Sequence, residues 1–401
     1  MRLSLTTANR ASVILMAALL GGCANNSHDS PTLPLTSSAA NVSIAHHRRD
    51  PDVAVQFAYV ANFGSNNVSA YSIDATSGAL TPVAGSPFKA GGEAYGITID
   101  PMGTFAYVAN FSSNNVSAYT VNATTGALKK VEGSPFAAGI EATAVAVEPT
   151  GKFAYVANYG SKNISAYSID ANSGALTPLN GSPFGAGLQP YTIAIDPTGK
   201  FAYAPNAGSN NISAYTIDAA SGTLTPVKGS PFKAGTAPVS LTMDPAGKFA
   251  YVSNFWSDNI YGYAIDPSSG ALKPLPGSPF PSSGPQDVVV TPTSRFVYVT
   301  NNSNAGPTIP AYSIDPTRGT LTPVPGSPFS DDGSGALSGA VDASSKFAYI
   351  TNDGSGSVSA YTISADGALR KVKGSPFAAG TSPAGISVCR VTAGKCIPPP
   401  L

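Results

Sequence analysis

The sequence predicts an all-β protein: a seven-bladed β-propeller with four antiparallel strands in each blade. Three observations support this prediction, namely a repeat within the chain, the strand-like character of each repeat, and the way the repeats begin and end. The stretch FAYVAN or a close variant occurs in seven copies, which start at Phe57, Phe105, Phe153, Phe201, Phe249, Phe296 and Phe347. A repeat of this length marks units that bury their apolar faces only against neighbouring units.

Each repeat contains short runs rich in β-branched and aromatic residues. In the first copies these runs cover residues 57–62, 68–73, 80–85 and 96–100, and turn-forming stretches such as FGSNN and ATSG separate them. Beyond the first twenty residues, no window has a sustained helical period. Four strands in a unit of about 40–50 residues, repeated seven times, are typical of a propeller.

The two ends of the repeat array predict a closed ring. The array begins at a second strand (residues 57–62) and ends after a first strand (residues 384–389). Pairing these two segments completes the seventh blade and covers two exposed sheet edges. The alternative is an open solenoid, which would need polar capping repeats that neither end of the array contains.

The first 52 residues differ in character from the repeats. Residues 1–22 resemble a bacterial lipoprotein signal peptide, because two arginines precede a short apolar run and the residues LGG precede Cys23. A secretory signal with an incidental cysteine is the alternative. Residues 23–52 are polar and predict a flexible tether. We therefore expect lipidation at Cys23 and a cell-envelope location, at the outer membrane or on the periplasmic side in a Gram-negative cell.

Composition narrows the possible partners. The chain has 22 Lys and Arg residues against 22 Asp and Glu residues, so no net charge would attract nucleic acid. No apolar run is long enough to span a bilayer, so we expect membrane contact through the lipid anchor only. The pair His46–His47 lies in the tether, where solvated histidines are more common than metal ligands. We expect a monomeric ring without metal or cofactor.

The C-terminal residues contain two further cysteines. We assign residues 53–390 to the propeller and residues 391–401 to a C-terminal hairpin and tail. Cys389 and Cys396 are close in sequence, and in an oxidising envelope they predict a disulfide. A catalytic cysteine is disfavoured because no histidine follows His47 to act as its base.

The repeats resemble a known family. Residues 298–301 read YVTN, and the equivalent segments read YVAN, YAPN, YVSN and YITN. Together with the DPxGKFAYVAN block, they resemble the YVTN-type propellers and the wider lactonase family of seven-bladed propellers, which includes 6-phosphogluconolactonase. The resemblance covers about residues 53–390 and implies a lactone hydrolase whose channel holds His, acidic and Arg side chains. This ring has no histidine, and its arginines, unlike those of the family, are expected away from the channel mouth: Arg295, Arg318, Arg370 and Arg390.

A functional site is expected where the repeat is broken. Tyrosines and asparagines that recur in all seven units serve the blades, whereas irregular residues can form a site. The irregular aromatic residues of the loops between strands two and three, or before strand one, are Phe63, Tyr95, Phe111, Tyr159, Tyr191, Phe255 and Trp256. Both loop types lie on one face of a propeller, and loops carry function on a rigid scaffold. The same face receives Glu93, Glu141 and Gln189 from three successive blades.

Two functions remain open for this face. A polar and aromatic mouth is suited to binding a small sugar, a lactone or an envelope protein, so we predict a binding scaffold. The alternative is a 6-phosphogluconolactonase-like lactone hydrolase or another carboxylate-based hydrolase that uses Glu93 and Glu141 as catalytic residues, with a separation near that of inverting glycosidases. A third interpretation assigns the acids to solvated loops and the aromatic residues to covering the blade ends.

Overall fold

The computed structural model describes residues 55–303 and 306–399. The predicted signal peptide (residues 1–22), Cys23, the tether (residues 23–52) and the pair His46–His47 lie outside the described residues. Within the described part of the chain, no helix has the length and apolar character needed to cross a bilayer.

The protein is a seven-bladed propeller, as the sequence predicts. Seven separate antiparallel sheets form the blades, and the first strand of each blade packs against the first strands of both neighbouring blades. We number the blades so that blade 1 contains Gln56–Asn62 and blades 2 to 7 follow along the chain. The first strands of blades 2 to 7 and then of blade 1 are Ala94–Ile99, Ala142–Val147, Ala194–Ile195, Pro238–Met243, Pro285–Val290, Ala336–Val341 and Pro383–Thr392.

The second and third strands of each blade form a long hairpin. From blade 1 to blade 7 the second strands are Gln56–Asn62, Phe105–Asn110, Phe153–Asn158, Phe201–Asn206, Phe249–Asn254, Phe296–Ser303 and Phe347–Asn352. The third strands are Asn67–Ile73, Asn115–Val121, Asn163–Ile169, Asn211–Ile217, Asn259–Ile265, the pair Gly306–Ile309 and Ala311–Ile314, and Ser357–Ile363.

The fourth strand of every blade consists of two short pieces, where the sequence predicts one run. A turn containing a cis Ser–Pro peptide lies between the two pieces. Three residues before this turn and two after it pair with the third strand. From blade 1 to blade 7 the pieces are Leu80–Pro82 with Phe88–Lys89, Leu128–Lys130 with Phe136–Ala137, Leu176–Pro178 with Phe184–Gly185, Leu224–Pro226 with Phe232–Lys233, Leu272–Pro274 with Phe280–Pro281, Leu321–Pro323 with Phe329–Ser330, and Leu369–Lys371 with Phe377–Ala378.

The predicted closure of the ring is confirmed. Strand Pro383–Thr392 pairs antiparallel with Gln56–Asn62, and Phe57 lies opposite Cys389 in the register. The C-terminal strand Lys395–Ile397 extends the same sheet by pairing with Pro383–Thr392. A disulfide joins Cys389 and Cys396 across this hairpin, with the two Cα atoms 5.2 Å apart. The Cys396 amide also donates to the Gly103 carbonyl of blade 2 at 3.0 Å, so the hairpin links two blades.

The recurring polar residues hold the blades together. In blade 2, the buried Tyr107 hydroxyl donates to the Gly174 carbonyl of the next blade at 3.0 Å. The buried Asn110 amide donates to Asn115 Oδ1 and Ser117 Oγ, and its Oδ1 accepts from the Gly91 amide. Such bonds satisfy polar groups that would be costly to bury without partners. Residues repeated in every blade therefore build the scaffold, and the site must be found among the exceptions.

Candidate functional site

The predicted site residues lie on one face of the ring. The loop after each second strand bonds to the loop before the first strand of its own blade: Phe111 N donates to Glu93 O, and Tyr159 N donates to Glu141 O, both at 2.9 Å. In blade 1, Phe63 N donates to Ser382 O at 2.8 Å. This bond joins the N-terminal and C-terminal segments that together form blade 1. We call this surface the aromatic face.

Glu93, Glu141 and Gln189 occupy a position with a special backbone. Their φ angles are 54°, 59° and 58°, and the equivalent residues of the other blades are also left-handed: Ala237, Gly284, Gly335 and Ser382. A left-handed backbone costs a residue other than glycine about 1 kcal/mol or more. All seven blades nevertheless keep this backbone conformation, whereas the side chain at the position varies. A Cβ atom added to Gly160 would lie 2.8 Å from Glu141 Oε2, so this carboxylate lies over the adjacent loop.

Five of the predicted aromatic residues form a closed cycle of ring contacts. The ring centroids of Phe63 and Phe111 are 6.0 Å apart, those of Phe111 and Tyr159 are 6.2 Å apart, and those of Tyr159 and Tyr191 are 6.0 Å apart. Tyr95 closes the cycle, at 5.8 Å from Tyr191 and 5.9 Å from Phe63. Three of the five contacts are edge-to-face, an arrangement that stabilises aromatic pairs beyond their buried area. We call these residues the aromatic cycle.

The tyrosine hydroxyls of the cycle lie at the channel end. Tyr95 and Tyr191 come from blades 2 and 4, and their hydroxyls bond to each other across blade 3. Tyr95 belongs to strand Ala94–Ile99, so its predicted location in a loop is wrong. The Tyr159 hydroxyl is buried without a hydrogen-bond partner among the described residues, and only 9% of this residue is exposed. Burial, followed by the charges of Tyr191 and Glu141, raises the pKa of Tyr159.

Phe255 and Trp256 lie apart from the cycle. They form the short 3-10 turn Phe255–Ser257 of blade 5, and their rings are in edge-to-face contact at 4.7 Å. Trp256 is 54% exposed. The structure therefore divides the predicted aromatic set into a packed cycle on blades 1 to 4 and, on blade 5, a pair in which Phe255 is half-buried and Trp256 is exposed.

Two carboxyl groups near the cycle are partly desolvated. Burial and then the charge of Glu141 raise the pKa of Glu93. Asp353, which the sequence analysis missed, occupies in blade 7 the position that Phe63 occupies in blade 1. Burial raises the pKa of Asp353, and a hydrogen bond with Ser382 opposes the rise. Aligning the blades at this position identifies Asp353 as an acidic exception. From blade 1 to blade 7 the position holds Phe63, Phe111, Tyr159, Ala207, Phe255, Asn302 and Asp353.

Below the cycle, the first strands of all seven blades surround a channel of about 630 Å³. Its wall is mainly aliphatic, and Asp287 of blade 6 is the one charged side chain among the described lining residues. Asp287 Oδ1 accepts from Ser240 Oγ at 2.6 Å and from the Val288 amide at 2.9 Å. Its Oδ2 accepts from Ser338 Oγ and the Gly339 amide, both at 3.0 Å. A carboxylate with four donors has no acceptor position left for a substrate proton.

Basic side chains are scarce on the aromatic face. Arg295 lies at the opposite end of blade 6, where its Nη2 donates to the Ala365 carbonyl at 2.8 Å. Lys162 does lie in a loop of the aromatic face, but it is exposed. The described residues therefore offer no buried cationic cluster for a phosphate group.

The comparisons with known proteins agree with this architecture. The profile of the lactonase seven-bladed β-propeller family matches residues 35–239, 190–289, 226–333 and 279–386. No curated protein matches the chain. Among solved structures, a 6-phosphogluconolactonase candidate from Bacteroides fragilis has a TM-score of 0.73 at 19% identity, covering 84% of this chain and 98% of that chain. The periplasmic gluconolactonase of Pseudomonas aeruginosa has a TM-score of 0.71 at 18% identity, covering 84% and 99%.

A solved structure of a differently named protein shows how widely the fold is used. The Kuenenia stuttgartiensis hydrazine synthase structure has a TM-score of 0.57 at 20% identity, covering 75% of this chain and 96% of that chain. Likeness at this level of identity establishes the fold alone, because one fold supports unrelated chemistry. The family profile covers most of the ring, and on that ground the chain belongs to the lactonase family of seven-bladed β-propellers.

Proposed function

We propose that the protein is a binding member of this family, which holds a small sugar or sugar lactone at the aromatic face and does not hydrolyse it. The observation that carries the proposal is the convergence of non-repeated residues at the channel end, where the aromatic cycle meets Glu93 and Asp353. Small-molecule sites typically combine apolar and aromatic walls with a few polar groups that fix the orientation of the ligand.

The polar groups of the mouth suit a ligand with several hydroxyls. The Tyr159 hydroxyl has no partner among the described residues, although a buried hydroxyl normally forms at least one hydrogen bond. The Tyr95–Tyr191 pair and the two carboxyl groups supply further donors and acceptors nearby. A polyhydroxylated ligand would satisfy the Tyr159 hydroxyl and place its apolar face against the rings.

Catalysis has weak support in the same residues. The three histidines of the chain, His28, His46 and His47, all precede the ring, so none of the blades contributes an imidazole base. Asp287 already accepts four hydrogen bonds, so it is poorly suited to accept a proton from water. Binding requires no proton transfer from these groups.

An envelope location is compatible with this use of the aromatic face. Val55, the first described residue, lies at the opposite end of blade 1, where its carbonyl accepts from the Val391 amide. The first described strand therefore begins on the side away from the aromatic face. The anchor and the envelope location remain part of the proposal.

The proposal predicts that Tyr159→Phe weakens sugar binding about tenfold, because it removes one buried hydroxyl and its hydrogen bond to the ligand. Calorimetric titration of the full-length protein with glucose, galactose and their aldonolactones measures the effect. The matched control is Tyr261→Phe, because Tyr261 is a half-buried tyrosine of strand Asn259–Ile265 outside the mouth. Equal losses in the two variants, or no binding of any of these compounds by the parent, would reject the proposed site.

Lactone hydrolysis is the second candidate, and one observation favours it. Burial and the neighbouring Glu141 raise the pKa of Glu93, which is the change that a general acid requires. The related gluconolactonases make a lactone the first substrate class to test.

A further inference from the structure

The aromatic cycle has an acidic neighbour in blade 7. Asp353 holds there the position that Phe63 holds in blade 1, and its amide donates to the Gly335 carbonyl at 2.9 Å. The Phe63 amide donates in the same way to the Ser382 carbonyl, and the Asp353 carboxylate forms a hydrogen bond with the Ser382 side chain. Ser382 therefore connects Asp353 directly to the loop that carries Phe63 of the cycle.

The charge of Asp353 also acts on two tyrosines of the cycle. Burial raises the pKa of Tyr191, the hydrogen bond with Tyr95 opposes the rise, and the charge of Asp353 adds to it. Burial and the contact with Tyr191 raise the pKa of Tyr95. The charge of Asp353, followed by that of Asp287, raises it further. Because such interactions weaken with distance, Asp353 and the tyrosine hydroxyls of blades 2 and 4 border the same space.

No basic side chain of the described residues forms an ion pair with Asp353, whereas the exposed Asp332 of the same face has a lysine partner. Lys162, at a hairpin tip of the aromatic face, is exposed. Lys89 and Lys233 are exposed in the outermost strand of their blades. A partly buried carboxylate without a cationic partner, placed beside aromatic rings, favours a ligand that carries a positive charge.

A second observation points to a ligand at the same place. The Tyr159 hydroxyl is buried without a hydrogen-bond partner among the described residues, and the Tyr159 ring contacts Phe111 and Tyr191 of the cycle. Buried hydroxyls normally have a partner, and a ligand hydroxyl can supply one. A ligand with one cationic group and several hydroxyls has partners for both kinds of group, Asp353 in blade 7 and Tyr159 in blade 3.

We infer that the ligand of the aromatic face is an amino sugar with a free ammonium group, and that Asp353 accepts a hydrogen bond from this ammonium. The rings of Phe63 and Tyr95 add the attraction of an aromatic face for a cation. The inference rests on the proposed sugar site and narrows its ligand from small sugars in general to cationic ones.

Three sugars that differ at one carbon test the role of charge. Glucosamine carries an ammonium group at about pH 6.5, whereas glucose has a hydroxyl and N-acetylglucosamine a neutral amide at the same carbon. In calorimetric titrations of the full-length protein, glucosamine should bind at least about tenfold more tightly than the other two, which is the effect of one charge-assisted hydrogen bond. Raising the salt concentration from about 0.05 M to about 0.5 M should reduce this preference.

Asp353→Asn keeps the shape of the side chain and removes its charge. This variant should lose the preference for glucosamine and bind glucose with nearly the affinity of the parent. Asp366→Asn is the matched control, because Asp366 lies in an exposed turn at the opposite end of the same blade, and it should keep the preference. Melting curves check that both variants fold.

The comparison of sugars needs no variant, and its outcomes are distinct. Equal affinities of the parent for glucosamine and glucose would overturn the inference and leave the proposed sugar site standing. Equal affinities for glucosamine and N-acetylglucosamine would also overturn it, because the protein would then recognise the substituent without its charge. A preference that persists in Asp353→Asn would overturn the role of Asp353. Binding of none of the three sugars would reject the proposed function, and the inference with it.

Discussion

Deletion of residues 382–401 should lower the melting temperature by at least about 10 °C. It should also leave the edge of strand Gln56–Asn62 unpaired, which favours self-association. The deletion removes strand Pro383–Thr392, which pairs with Gln56–Asn62 and buries Ile386 and Val388. It also removes the bond between Cys396 and Gly103 that links blades 1 and 2. Differential scanning calorimetry and light scattering measure the two consequences.

A shorter deletion provides the control for ring closure. Removal of residues 398–401 leaves the strand, the disulfide and the hairpin intact, so the melting temperature should stay close to that of the parent. If the larger deletion were as stable and as monomeric as the parent, the closed ring would be wrong and the blades would form an open array.

Asp287→Ala should lower the free energy of unfolding by about 2–4 kcal/mol at neutral pH, because buried donors lose their acceptor. The hydroxyls of Ser240 and Ser338 and the Gly339 amide all bond to this carboxylate, which joins blades 5, 6 and 7. Denaturant titration measures the change. Asp332→Ala is a matched control, because that carboxylate is exposed and pairs only with exposed Lys371 among the described residues, so its loss should cost less than about 1 kcal/mol.

The same carboxyl group predicts a pH dependence. Burial raises the pKa of Asp287 in the folded state, against the opposing hydrogen bonds from Ser240, Gly339 and Ser338. The folded protein therefore keeps the Asp287 carboxyl protonated at a pH where the unfolded chain has released this proton. The contribution of Asp287 to stability is present in full below about pH 4 and falls as the pH rises through the folded-state pKa. The stability of the parent relative to Asp287→Asn should accordingly decline from pH 4 upward. A relative stability that rises over this range would contradict the assignment.

The repeat explains why the fold could be predicted and the site only in part. Each blade repeats the same strand and turn chemistry, so seven copies of Tyr107 and Asn110 indicated the scaffold with little ambiguity. The split of the fourth strand was missed because its pairing ends at a turn that the strand propensities of residues 80–85 do not reveal.

The site depends on positions that the repeat does not determine. The contact between Tyr95 and Tyr191 joins blades 2 and 4, and the curvature of the ring brings them together rather than any spacing in the sequence. Asp287 was not predicted because it lies within a first strand, whereas the sequence indicated a site only in the loops. Aligning the first strands would have identified it, since Gly96, Ala144 and Thr192 occupy the equivalent position.

The most direct test of binding without hydrolysis uses two measurements on the parent protein and on Glu93→Gln. The first is the rate at which an aldonolactone ring opens in the presence of each protein, and the second is the affinity of each protein for the same aldonolactone. Glu132→Gln, an exposed glutamate in a turn of blade 2, is the matched control. A binding protein should leave the spontaneous rate of ring opening unchanged, and Glu93→Gln should retain nearly the affinity of the parent. Hydrolysis by the parent that falls about 10²–10⁴-fold in Glu93→Gln at unchanged affinity would contradict this function and establish Glu93 as an acid–base catalyst.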